Sequence, residues 1–110
     1  MMSMQKKLIE FGRGLADIVT AYHYWRTKRE VPYAIWAEDG EDGSFDTNNR
    51  KVEQQIHGTL DYFTKTEFDE AVDKIQEYLN GIDDFGWRLN QVAYEDETNL
   101  IHYEWEWWII

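Results

Sequence analysis

Three histidines, twenty-two acidic side chains and no cysteine are the material available for chemistry in this 110-residue chain. The missing cysteine excludes thiol nucleophiles, disulfide scaffolds and thiolate-bound zinc together. His23 falls near the end of the expected first helix, His57 on the polar face of an alternating stretch, and His102 on the outward face of the last one. Two of them can meet across a sheet and bind a metal, yet no ligand spacing in the sequence requires it. Surface hydrogen bonding is therefore their expected role, and neither metal nor cofactor is expected. Glu104 and Glu106 resemble an acid and base pair only in composition, since on a strand they are the outward positions of an alternating pattern.

The acidic run from Glu38 to Asn49 invites comparison with calcium loops, whose ligands recur at alternate positions and end in a bidentate Glu. Asp39, Asp42 and Asp46 do not keep that spacing, and Glu53 is a loosely placed final carboxylate, so a solvated loop is expected. Gly12-Arg13-Gly14 lacks the lysine and the preceding strand of a phosphate loop; its glycines suit a kink or close helix packing. Six tryptophans and seven tyrosines could stack bases, but single-strand platforms also need a positive groove. The net charge here is −11, with six basic and three acidic side chains in residues 1–30 against five and nineteen in residues 31–110. Direct nucleic-acid binding is not expected from such a surface. Core and protein interface account better for the aromatics, and the reading is a binding or assembly protein, not an enzyme.

At 43% hydrophobic residues the chain has enough apolar material for one core, and one domain spanning residues 1–110 is expected. No run approaches the roughly 18 apolar residues of a membrane helix, and Met-Met-Ser-Met-Gln-Lys-Lys is no secretory signal, so a soluble protein folded in a cytosol, without a membrane partner, is expected. Met4, Leu8, Phe11, Leu15, Ile18, Val19 and Tyr22 recur at helical spacing, predicting a long amphipathic helix over 4–25 that is closed by Arg26, Lys28, Arg29 and then Pro32. Tyr33–Ala37 reads as a short strand. After the acidic loop, residues 51–63 alternate, with Val52, Ile56, Gly58, Leu60 and Tyr62 on one side, although Gln54 breaks the row. Thr66 with Asp69 three positions on predicts a helix start, Phe68, Val72, Ile75 and Leu79 its buried stripe, and Gly81 its end. Residues 85–94 and 100–110 read as two strands around an acidic turn. The expected fold is α+β in the order αββαββ, a mostly antiparallel sheet with two helices packed on one face. In the last strand Ile101, Tyr103, Trp105, Trp107 and Ile109 should face the helices, leaving Trp108 and Ile110 among His102, Glu104 and Glu106 on the other side.

This order of signals carries a resemblance. It runs from the first helix through Val31-Pro32-Tyr33-Ala34-Ile35-Trp36, the acidic loop, Leu60-Asp61-Tyr62-Phe63-Thr64-Lys65 and a Glu- and Lys-rich helix to an acidic, aromatic last strand. Over nearly its whole length the chain resembles the small tail-completion or tail-terminator proteins, also called head–tail joining proteins, of long-tailed bacteriophages and prophages. The resemblance implies a structural subunit, made in the host bacterial cytoplasm and resident in the virion. It would assemble with copies of itself as a six-fold ring, cap the head-proximal end of the tail tube, and meet the major tail-tube protein and the head-completion or connector protein. A closed ring repeats one heterologous interface, which two unlike patches on one chain would supply. The basic patch is Arg26, Lys28 and Arg29; the acidic loop offers Asp39, Glu41, Asp42 and Phe45, and the apolar contact Trp108 and Ile110. A second reading uses the charge differently, as an acidic inhibitor or DNA mimic that occupies the groove of a basic host protein such as a nuclease.

Overall fold

The computed structural model describes residues 3–25, 30–41, 45–47 and 50–110, with the backbone course alone for 45–47 and 50–53. Helix α1 (Met4–Ala16) starts where the Ser3 hydroxyl accepts the Lys6 N–H, and it buries Leu8, Phe11 and Leu15. It is shorter than its apolar spacing predicts. The backbone leaves the helix after Asp17, and Ala21–His23 become β1. Ile18 and Val19 still pack on the core from just beyond the helix, which is why the spacing looked continuous. The cluster Arg26, Lys28, Arg29 lies outside the described residues.

Next come β2 (Tyr33–Glu41), β3 (Phe45–Thr47), β4 (Arg50–Glu53), β5 (Ile56–Thr64), α2 (Glu70–Asn80), β6 (Phe85–Glu95) and β7 (Leu100–Ile109). The main sheet has the order β1-β2-β5-β7-β6. β1 runs parallel to β2, and every other pairing is antiparallel, so the sheet is mixed and the order αββαββ holds only in part. Glu38–Glu41, expected in the loop, extend β2 past a bulge between Glu38 and Gly40. The long alternating stretch is broken at Gln54 and Gln55; β4 pairs with β3 in a separate two-stranded ribbon, and β5 joins the main sheet. No helix among the described residues is long and apolar enough to cross a membrane.

Both helices pack on one face of the sheet. Alternation along β5 and β7 sends Ile56, Leu60, Tyr62, Trp105, Trp107 and Ile109 into that core, where they meet Phe11, Leu15, Ile75 and Leu79. The N-cap of α2 is Asp69, not Thr66, because the Asp69 carboxylate accepts the Ala71 N–H at 2.9 Å. Phe68 consequently stands outside the helix with φ 55° and is 90% exposed, while Ile75 and Leu79 carry the buried stripe. Gly81 caps the other end.

Gly12 lets α1 approach the sheet, since a Cβ there would overlap the buried Trp36 indole. Gly12→Ala is therefore expected to destabilise the protein by about 1–3 kcal/mol despite the better helix propensity of alanine, as read from urea unfolding. A stabilised variant would show that the helix can shift off Trp36.

Candidate functional site

Cross-strand neighbours share a face, so the register assigns the side chains of the helix-free face. One row reads Tyr33, Phe63, His102 and Ala93 across β2, β5, β7 and β6; the next reads Ile35, Asp61, Glu104 and Gln91; then Ala37, Thr59, Glu106 and Arg88. His57, Trp108 and Gly86 follow at the far end. Polar and ionisable groups dominate the two central strands of this face.

His102 is the best-connected of these groups. Its Nε2 lies 2.6 Å from Asp61 Oδ1, its Nδ1 4.0 Å from Glu95 Oε1, and its ring stacks on Phe63 at 4.3 Å between centroids. Glu104 accepts a 2.7 Å hydrogen bond from Asn90 Nδ2. Burial raises the Asp61 carboxyl above its ordinary value, against the hydrogen bond and charge of His102 and with the Glu104 charge. At the other end His57 bonds Asp39 and Arg88 bonds Glu106 at 3.0 Å. His102 pairs with the level of Phe63 and His57 with that of Trp108, six residues apart along β7, or roughly 20 Å at strand rise. The two histidines thus do not face one another. His23 sits at the β1 edge, stacked on Trp36 at 3.9 Å and bonded to Glu38 at 2.7 Å. Burial raises the Glu38 carboxyl, but the hydrogen bonds from Tyr24 and His23 outweigh it and hold the group below its ordinary value. Each histidine has a carboxylate partner, in keeping with the expected hydrogen-bonding role.

The residues singled out for assembly are scattered. Asp39 and Glu41 are exposed at the end of β2, where Glu41 accepts the Gln54 amide at 2.9 Å. Phe45 opens β3, and Asp42 lies outside the described residues. Trp108 is half-buried on the open face, lying over Gly86, where a Cβ would overlap its indole. Ile110 is 42% exposed past the end of β7; its N–H bonds the Asp84 carbonyl and its own carbonyl accepts the Lys7 ammonium at 2.7 Å.

Sequence reasoning missed the two sheet edges. The β6 edge exposes Leu89, Val92 and Tyr94, in register with Trp105, Tyr103 and Ile101 but left uncovered by α2. Beyond β1, at the opposite edge, Tyr24 and Trp25 are exposed. The pattern around Val92 and Tyr94 is visible in the sequence, but which strand lies outermost is not. No family model matches the chain, and no curated protein does either.

Proposed function

We propose that this chain is a structural subunit that assembles edge to edge with further copies into a closed ring, capping the head-proximal end of a phage tail tube and docking it to the capsid connector. The observation that carries this reading is the pair of unlike apolar edges. Leu89, Val92 and Tyr94 line the long edge strand β6, and Tyr24 and Trp25 follow the short edge strand β1. An uncovered edge strand offers unpaired backbone groups beside its apolar side chains, which a strand of another chain satisfies. Two different edges on one subunit favour head-to-tail association, and head-to-tail contacts either close into rings or run on as filaments. The ribbon β3–β4 adds support, because a two-stranded ribbon is marginal alone and gains from a covering surface.

Sedimentation velocity over a wide concentration range, with negative-stain images of the heaviest species, tests this. Closed rings are expected, either from the chain alone or on purified tail tubes of the phage that carries it. Val92→Lys with Tyr94→Lys should weaken association at least about tenfold, placing a desolvated charge at the contact. A chain that stays monomeric and ignores tail tubes overturns the proposal. A salt-sensitive one-to-one complex with a basic nuclease would favour the inhibitor reading instead.

A further inference from the structure

We propose that Asp61, His102 and Glu104 form a binding site for a divalent transition-metal ion of the zinc class on the open face of the sheet. One ligand atom from each lies within 4.8 Å of the others, and all three side chains stand on the two innermost strands of their part of the sheet. His102 and Glu104 alternate onto one side of β7, and Asp61 of β5 is the direct partner of Glu104. Zinc binds nitrogen and oxygen ligands at about 2.0–2.2 Å, which in a tetrahedron sets them roughly 3.3 Å apart. The 2.6 Å bond between His102 Nε2 and Asp61 Oδ1 would open slightly to admit the ion between them. Glu104 needs a modest side-chain rotation to close the set.

What surrounds the three residues argues for a built site. The bulge between Leu89 and Gln91 leaves Asn90 out of the β6–β7 ladder, and the Asn90 amide donates to Glu104. Bulges re-aim side chains in this way beside functional sites. Glu95, 4.0 Å from His102 Nδ1, is placed to take that N–H once the imidazole turns, which leaves the Nε2 lone pair for the metal. Glu95 is itself held by the Thr98 hydroxyl at 3.1 Å, and Phe63 fixes the plane of the imidazole. Three carboxylates thus gather around one imidazole, and among the described residues none of them forms an ion pair with lysine or arginine. A dication relieves that repulsion. The imidazole ligand and the small donor count select a zinc-like ion over calcium or magnesium, which prefer six or more oxygens. A fourth position is left for water.

The test uses the full chain without an affinity tag, titrated with Zn²⁺ in a calorimeter and with Co²⁺ as a spectroscopic probe of ligand geometry. One ion per chain, with the visible absorption of four-coordinate Co²⁺, is expected; Mg²⁺ and Ca²⁺ at equal concentration should not displace it. His102→Ala and Glu104→Gln should each lower affinity at least about tenfold, and Glu95→Gln by about 10–100-fold through the orientation of His102. His57→Ala, at the other end of the face, should leave binding unchanged, and circular dichroism checks that every variant is folded. Absence of the Co²⁺ absorption overturns the proposal, as does equal affinity in folded His102→Ala.

Discussion

Trp107→Ala is expected to cost about 3–5 kcal/mol of folding stability, the range for removing a buried indole from a core. Trp107 is fully buried on β7 between Gly58 of β5 and Trp87 of β6, with its ring 5.0 Å from Phe11 and 6.1 Å from Phe85. These neighbours belong to two strands and a helix and cannot close the void by one small shift. For domains stable by only about 5–15 kcal/mol, such a loss approaches half the total. Trp107→Phe should behave differently. The indole Nε1 is buried with no hydrogen-bond partner among the described residues, and an orphaned donor costs about 1–3 kcal/mol. Phenylalanine removes that donor along with some volume, so its net cost should fall below half that of alanine. Urea unfolding of the three proteins decides it; equal losses for the two variants would show that a phenyl ring recovers none of the indole's packing.

Asp69→Ala is the second large effect, expected at about 2–4 kcal/mol. One oxygen caps α2 through the Ala71 N–H at 2.9 Å. The other accepts the hydroxyls of Tyr62 at 2.8 Å and Thr64 at 2.7 Å, both on residues only 1% exposed. Alanine removes the cap and takes away the acceptor of both hydroxyls, although the Thr64 oxygen still accepts the Thr66 N–H at 3.1 Å. Burial alone would push the Asp69 carboxyl up, but the Ala71 N–H and the Thr64 and Tyr62 hydroxyls outweigh it and hold the group below its ordinary value of 3.8. A carboxylate depressed by folding contributes stability that is present above its unfolded pKa and is lost as pH falls through the lower folded value. The gap between wild type and Asp69→Ala should therefore be full at pH 7 and narrow below about pH 4. A gap that holds constant down to pH 2 would mean that the ionised form is not what the site stabilises.

Legibility in the sequence followed the range of the forces. Alternation identifies the buried side of β7 from Trp105, Trp107 and Ile109, and likewise Leu60 and Tyr62 on β5, because period-two burial is written locally. Gly81 marks the end of α2 for the same reason. The start of α2 is ambiguous in the sequence because Thr66 and Asp69 both suit a cap; the Ala71 N–H and the hydroxyls of Tyr62 and Thr64 at the end of β5 favour Asp69. β1 was hidden because Ile18 and Val19 serve the core from outside the helix. The meeting of Asp61 with His102 depends on the register of β5 against β7, which no local pattern encodes. The exposed edge at Leu89, Val92 and Tyr94 depends in turn on β6 being outermost.

The position of β7 between β5 and β6 gives it one partner near in the chain and one far. β6 and β7 meet across a tight turn closed by the Asn99 N–H on the Glu95 carbonyl, so that pair forms locally. The remaining seam joins Ile56 to Ile109 and Thr64 to Ile101, and α2 and β6 lie between these partners in the chain. Its closure carries the loop entropy of that whole span, a cost that the β6–β7 hairpin does not meet. Without that seam, Trp105 and Trp107 lack their β5 neighbours Leu60 and Gly58 in the core. Asp61 stands on one side of that seam and His102 and Glu104 on the other, so an ion held by all three would act as a clasp between segments some forty residues apart in the chain.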